Sequence, residues 1–140
     1  MATYTASEAQ AGIQPKSLRV GLVAVTSFYS FPSSISATTT IQMIKVPAGS
    51  TPVLIQVANT NAGDSALLVG DGNSTGRYRA AATLSSGQGY VICNLPAIPY
   101  TYSLDDTIDI LISTASATTL GGAVYLTAIF TMDIRVPPIT

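Results

Sequence analysis

The chain has 140 residues, of which 47% are apolar and 9% are charged, and its formal net charge is −1. A chain of this length is one domain by default and can bury a core without disulfide or metal staples. The basic residues are scattered, apart from Arg77 and Arg79, so no dense basic patch predicts nucleic-acid binding. No apolar run approaches the ~20 residues of a membrane-spanning helix, so we expect no membrane partner.

The low content of charge carries a prediction about the surface. Globular domains have about 25% charged residues, whereas this chain has 9% and a mean hydropathy of +0.42. A soluble monomer normally carries more surface charge than this. We therefore expect part of the outer surface to be weakly polar and buried against partner molecules.

The chain is divided into two regions. Residues 1–17 are small and polar without a clear period, and we expect an extended N-terminal arm, either a disordered tail or a segment that docks on a neighbour. The first residues lack a basic segment followed by an apolar one, so no signal peptide is predicted and folding in a cytoplasm is expected. Residues 18–140 are predicted to form a single β-sandwich domain.

The first strands follow the arm. Residues 18–31 place apolar side chains on both alternating faces, so we expect a strand covered on both sides. The β-branched stretch 38–46 predicts a second strand, and a loop rich in proline and glycine follows it. The next strand is predicted at 53–58, with Val53, Ile55 and Val57 on one face.

The second half of the chain also contains predicted strands separated by turns, and most of these strands are shorter. Seven apolar residues in a row alternate between 124 and 136, which is strong evidence for a final strand. No segment of 11 residues favours a helix. Eight or nine strands with turns every 8–12 residues or so predict an all-β fold, an antiparallel β-sandwich of jelly-roll type. The remaining predicted strands are 66–69, 77–82, 89–94, a short edge strand at 100–102, and 107–113.

Groups that could support catalysis are scarce. The sequence has no histidine, which removes the commonest general base and metal ligand. Cys93 is the single cysteine and we expect it to be a small core residue. Asp105, Asp106 and Asp109 form the one acidic cluster. A Ca²⁺ site or a carboxylate pair is conceivable there, but a turn and a solvent-exposed strand face are the preferred interpretation.

The stretch 71–75 places oxygens at alternate positions, as at the start of a calcium loop. The full loop needs a bidentate Glu at its twelfth position, and that position is Ala82. Aspartate and glycine are also the residues that a hairpin turn uses, so we predict a turn. The sequence therefore predicts no catalytic residue, no cofactor and no metal, and a protein that is not an enzyme.

Tyr90, Tyr100 and Tyr102 flank a proline-rich stretch at 96–99. Clustered tyrosines can pack within a sandwich, form a protein interface or make a platform for a sugar. All three interpretations remain open at this point. The residues that the sequence offers as interface candidates combine these tyrosines with the arm: Tyr4, Ile13, Pro15, Lys16, Tyr90, Tyr100 and Tyr102.

Five segments between residues 16 and 136 carry a resemblance to a known family. They are KSLRVG at 16–21, IQMIKVPAG at 41–49, VGDG at 69–72 followed by Arg77-Tyr78, PYTY at 99–102 followed by Asp106-Thr107-Ile108, and Gly121-Gly122 before the last strand. In this order the chain resembles the jelly-roll cement, or decoration, proteins of short-tailed bacteriophages such as those infecting Bordetella. These motifs are turn and strand signatures, not catalytic ones.

The resemblance implies a function by adhesion. Such proteins bind the outer surface of a phage capsid and cement contacts between major capsid subunits. The implied partner is the major capsid protein, a homodimer is expected before a homotrimer, and the implied location is the exterior of the virion after synthesis in the bacterial cytoplasm. The tyrosines and the aspartate-rich turns support an alternative, a carbohydrate-binding or receptor-binding module of a head fibre or tail.

Overall fold

The computed structural model describes residues 3–5, 21–60, 65–83, 90–93, 95, 100–116 and 121–132. These residues form nine β-strands, and none of them belongs to a helix that could cross a membrane. The strands are β1 (Thr3–Thr5), β2 (Gly21–Ser30), β3 (Thr40–Val46), β4 (Ser50–Asn59), β5 (Ala66–Asp71), β6 (Arg79–Thr83), β7 (Tyr90–Ile92), β8 (Asp106–Thr114) and β9 (Ala123–Met132).

The strands form two packed sheets. One sheet has five strands in the order β1-β3-β8-β5-β6, and the other has four in the order β2-β9-β4-β7. All pairings are antiparallel except that of β1 with β3. Eight strands that pass between two antiparallel sheets in this order form a jelly roll, and β1 extends one edge. The predicted all-β sandwich of eight or nine strands is confirmed.

The core lies between the two sheets and follows the period of two that the sequence shows. In β9, the inward side chains Val124, Leu126, Ala128 and Phe130 have no exposed surface. In β8, alternate isoleucines are equally buried. Complete burial of a Val, Leu, Ile or Phe side chain stabilises the folded state by roughly 1.5–3 kcal/mol relative to leaving it exposed. Cys93 is also buried, as predicted.

β4 departs from its predicted pattern. It begins at Ser50, and its register with β9 shifts between Pro52 and Leu54. A β-bulge at this position reverses the face on which the following residue lies. Val53 is therefore 43% exposed while Ile55 is fully buried, and the prediction that both lie on one face is wrong.

The segment 100–102 is not the edge strand that was predicted. Tyr102 makes two isolated backbone hydrogen bonds: its N–H donates to the Ser50 carbonyl at 2.9 Å, and its carbonyl accepts from Gly49 N–H at 2.7 Å. Gly49 has a φ of 87°, which is favourable for glycine in the turn between β3 and β4. The segment thus fixes the start of β4 without extending a sheet.

β2 is open on one side. It pairs with β9 over ten consecutive residues without a register shift. Val23, Val25 and Tyr29 pack against the core, whereas Leu22 is 68% and Phe28 47% exposed. Within the described residues, the prediction of a strand covered on both faces is therefore wrong. The alternation is present, but nothing in the described part of the chain covers the outward side.

Candidate interaction surface

A buried carboxylate organises the loop between β5 and β6. Asp71 is 1% exposed. Its Oδ1 accepts hydrogen bonds from the backbone N–H groups of Asn73 and Ser74, at 3.0 and 2.8 Å. Its Oδ2 accepts from Arg77 Nε at 2.5 Å and from the Tyr102 hydroxyl at 3.2 Å. The predicted turn is confirmed, and partners from the chain itself occupy both oxygens.

The tyrosines belong to the same network. The hydroxyl groups of Tyr78 and Tyr102 lie 2.6 Å apart in the interior. Burial raises the pKa of Tyr78 to about 12 and shifts the pKa of Tyr102 upward as well. The Arg77 guanidinium lies 3.6 Å from the ring centroid of Tyr100, and Tyr100 meets Tyr102 edge to face at 5.0 Å. Cation–π and hydrogen-bond contacts thus tie this cluster together.

Tyr102 is therefore not a surface residue. It is 2% exposed, because its ring is packed in the core and its hydroxyl reaches Tyr78 and Asp71. As a residue that contacts a partner, it was predicted wrongly. Tyr100 is half-buried, and one face of its ring is covered by Arg77.

The other interface candidates are divided. Tyr4 lies in β1, is 41% exposed, and its ring centroid is 5.7 Å from that of Tyr29. The described residues of the arm thus pair with β3 of the same chain. Tyr90 begins β7 opposite Ala58, but its side chain lies outside the described part of the structure. Ile13, Pro15 and Lys16 lie outside the described residues altogether.

The acidic cluster is split between the surface and the interior. Asp105 is exposed and accepts a hydrogen bond from Ala48 N–H at 2.9 Å. Asp106 accepts one from Thr107 N–H at 2.8 Å. Asp109 is only 7% exposed, so the predicted solvent-exposed face is wrong at this residue. In the part of the chain that the structure describes, no three Asp, Glu or Cys side chains are placed to hold a metal ion.

The burial of Asp109 has a local cause. β8 is inside its sheet, and Asp109 lies in register with Gln42 on one side and Gly70 on the other. A Cβ at Gly70 would overlap the Ser74 carbonyl oxygen, so the β5–β6 loop crosses directly over the sheet there. Burial raises the pKa of Asp109 to about 7, to which the nearby carboxylates contribute. Its Oδ1 has no hydrogen-bond partner.

A small pocket lies beside this network. Its volume is about 280 Å³, slightly below the roughly 300–1,000 Å³ that small-molecule sites occupy. Its lining combines polar groups with two tyrosines, which is the kind of surface that a sugar could contact. The pocket is lined by Gly72, Asn73, Tyr100, Tyr102, Ser103, Leu104, Asp105 and Asp106.

Among the described residues, charge is confined to one sheet. Every charged residue that the structure describes belongs to a strand of the five-stranded sheet or to a loop joined to one. The described strands of the four-stranded sheet carry none. The charged residues are Lys45, Asp71, Arg77, Arg79, Asp105, Asp106 and Asp109.

The described residues on the outer side of the four-stranded sheet therefore form an uncharged surface, which we name the uncharged face. It is formed by the outward residues of β2, β9 and β4, which lie beside one another in the strand register. Leu22, Phe28 and Tyr125 are 68, 47 and 40% exposed. The uncharged face comprises Leu22, Ala24, Thr26, Phe28, Thr51, Val53, Leu54, Gln56, Ala58, Tyr125, Thr127, Ile129 and Thr131.

The side chains of the uncharged face contact one another through aromatic rings and hydroxyl groups. The Phe28 and Tyr125 rings lie 6.0 Å apart, and the hydroxyl groups of Thr26 and Thr127 are 2.9 Å apart. Aromatic and threonine pairs across neighbouring strands stabilise a sheet. The sequence predicted a weakly polar outer surface but not its position. The signal was present, because β2, β4 and β9 contain no charged residue.

Comparison with known proteins supports the fold. No family model and no curated protein sequence matches the chain. Among solved structures, the chain is similar to a chain in the capsid of Ralstonia phage GP4, with 17% identity, a TM-score of 0.78 and coverage of 96% of this chain and 100% of that one. It is also similar to a chain in the capsid asymmetric unit of cyanophage Pam1, with 15% identity, a TM-score of 0.74 and coverage of 86% and 91%.

A third likeness is weaker. A chain in the acidic stable capsid structure of Helicobacter pylori bacteriophage KHP30 matches with 9% identity and a TM-score of 0.58, over 81% of this chain and 94% of that one. At these identities the likeness concerns the fold. The chain has a jelly-roll fold that also occurs in chains of phage capsid structures.

Proposed function

We propose that this chain is a structural protein of a phage virion, which binds the outer surface of the capsid and cements contacts between major capsid subunits. The observation that supports this most directly is the likeness to the chain in the capsid of Ralstonia phage GP4. It extends over 96% of this chain and the whole of the other. A shared motif would give a partial match, whereas this match includes the complete domain.

The mechanism is adhesion. Each copy spans neighbouring capsid subunits and adds buried surface that internal DNA pressure would have to separate. A single contact can be weak, because many copies bind one lattice. Once a copy is held by one capsid subunit, its contact with the next subunit forms at a high effective concentration, which raises the overall avidity. The arrangement suits a rigid scaffold, since β9 pairs with strands on both sides over nearly its whole length.

The partners and location follow from this proposal. The partner is the major capsid protein, and the chain is made in the bacterial cytoplasm and occupies the virion exterior. A homodimer remains the expected oligomer, before a homotrimer. No nucleic-acid contact is part of the mechanism.

The proposal is tested with shells assembled from the major capsid protein encoded in the same genome. Purified chain is added, the shells are pelleted, and bound protein is imaged by electron cryomicroscopy. We expect saturable binding at regular positions on the outer surface and a higher melting temperature of the shells. Protein that stays in the supernatant at saturating concentration, or density inside the shell, would refute the proposal.

The arm is tested in the same assay. Deleting residues 2–15 also removes β1, whose Tyr4 contacts Tyr29 of the domain. We expect weaker attachment while the domain stays folded, because a three-residue parallel edge strand adds little to a sandwich of eight other strands. Thermal unfolding of the truncated chain is the control. Equal occupancy of truncated and full-length protein on the shells would exclude a function of the arm in attachment.

The pocket beside Asp105 and Asp106 favours one alternative, a carbohydrate-binding or receptor-binding module of a head fibre or tail. Two findings limit it: Arg77 covers one face of the Tyr100 ring, and Tyr102 is buried. A glycan array and the melting temperature with and without Ca²⁺ separate the two functions. Cement function predicts no response in either measurement, and a selective glycan signal lost in Asn73→Ala would favour the alternative.

A further inference from the structure

We infer that the uncharged face is the surface that this chain presents to the capsid shell, with the five-stranded sheet facing solvent. The partner surface is then an uncharged, largely apolar patch of the major capsid protein. This inference rests on the proposed function and adds the orientation of the chain and the chemistry of its partner.

The distribution of charge supports this orientation. A charge that is buried without a partner loses its hydration and gains nothing in return. No residue of the uncharged face carries an opposite charge, so only its hydroxyl and amide groups could contact such a charge. A partner surface with charged residues would therefore bind poorly. The five-stranded sheet carries Lys45, Asp105 and Asp106 at or near its surface, as is expected of a side that remains in water.

The side chains on the face are suited to a contact. Leu22 and Phe28 protrude from a strand that pairs without irregularity over ten residues. Tyr125 combines a large apolar area with a hydroxyl group, which is a common combination at interfaces. Because the sheet fixes these side chains before binding, little conformational entropy is lost when a partner covers them.

The area of the face favours the shell over a second copy of the chain. Three strands about 4.8 Å apart and ten residues long cover roughly 500 Å². A stable pair of free proteins needs about 800 Å² from each partner, whereas an apolar patch of roughly 300–600 Å² is found on ordinary monomers and is often functional. A contact of this size becomes useful where a lattice holds many copies.

The test compares two exposed leucines. Leu22 lies on the uncharged face and is 68% exposed, and Leu104 lies in the loop before β8 and is 76% exposed. Each is replaced by Lys and by Glu, and binding to the assembled shells is measured by co-sedimentation. Long-range attraction would distinguish the two signs of charge, whereas burial disfavours both. Thermal unfolding of every variant confirms that it is folded.

We expect Leu22→Lys and Leu22→Glu each to weaken binding at least tenfold, and Leu104→Lys and Leu104→Glu to change it less than twofold. Normal binding of the wild type together with equal binding of the Leu22 variants would overturn the inference and leave the proposed function intact. Loss of binding in the Leu104 variants alone would also overturn it. Failure of the wild type to bind would refute the proposed function itself.

The oligomeric state of the free chain completes the test. We expect sedimentation of the wild type to be unaffected by Leu22→Lys. A dimer that this substitution dissociates would assign the uncharged face to a second copy and overturn the inference.

Discussion

The two sheets share the chemistry of their inner faces and differ in that of their outer sides. Between them lie alternating aliphatic and aromatic side chains, such as Ile110 in β8 and Phe130 in β9. Outside, the five-stranded sheet carries the described charges and is crossed by the β5–β6 loop, which Asp71 anchors. The outer side of the four-stranded sheet has no described charge and presents Leu22 and Phe28.

The difference between the two sheets distinguishes the surfaces that folding must bury from those that it does not. A sandwich must bury the inner face of each sheet, and both sheets meet that requirement in the same way. The outer sides are under no such constraint, and a large exposed apolar patch on a protein surface often marks an interaction site. We therefore expect the polar network to contribute more to the unfolding free energy than the exposed side chains of the uncharged face do. The following predictions test this separation.

The largest effect is expected at the anchor of the loop. Asp71→Ala leaves Arg77 and the Tyr102 hydroxyl without their buried carboxylate. Breaking a buried ion pair by removing one partner typically costs about 3–5 kcal/mol of unfolding free energy. Urea denaturation measures it, with Asp105→Ala as the matched control. That carboxylate is exposed, so we expect a loss of less than about 1 kcal/mol. Equal losses would contradict the network as a source of stability.

A second prediction concerns pH. The pKa of Asp109 is raised to about 7 in the folded chain, from an ordinary value of 3.8, because the side chain is buried. The folded state therefore binds the proton more tightly. This carboxyl does not destabilise the chain below about pH 4, and its destabilising effect grows until about pH 7.

Replacing this carboxyl by an amide should remove that dependence. Asp109→Asn should raise the unfolding free energy at pH 8 by roughly 2–4 kcal/mol and change it little at pH 3.5. Denaturant melts of both proteins across this range provide the measurement. A constant difference at all pH values would show that Asp109 does not titrate in this window.

Much of the fold could be predicted from the sequence. The alternation in β8 and β9 reflects a core that buries every second side chain, and turn residues mark the ends of strands. What could not be predicted depends on neighbours distant in the chain. The bulge that turns Val53 outward appears only when β4 is paired with β9. Asp109 alternates like a solvent-facing residue, and only the loop that crosses Gly70 buries it.

The candidate surface was predicted less well, for a related reason. The tyrosines near residue 100 suggested an interface, because aromatic residues next to prolines are common there. In the structure Tyr102 closes a buried network. The low charge of the whole chain predicted a weakly polar surface correctly. It could not say that the four-stranded sheet is this surface, because which strands share a sheet is a property of the topology.

A smaller effect is expected where the network loses one hydroxyl group. Tyr102→Phe keeps the buried ring and removes the hydrogen bonds to Tyr78 and Asp71. A lost hydrogen bond of this kind costs roughly 1–2 kcal/mol. Urea denaturation gives the value, and Tyr100→Phe is the control, since its hydroxyl is not part of these bonds. A loss at Tyr102 no greater than at Tyr100 would mean that ring packing alone stabilises this side.

The smallest effect is expected on the uncharged face of the isolated chain. Leu22→Lys places a charge where the side chain is 68% exposed, so the unfolding free energy should change by no more than about 0.5 kcal/mol. Leu126→Ala, on the neighbouring strand β9 but on the inner face, should cost about 2–5 kcal/mol. If Leu22→Lys destabilised the chain by a comparable amount, Leu22 would be needed for folding. The uncharged face would then be part of the core, and its exposure would not be evidence of a partner.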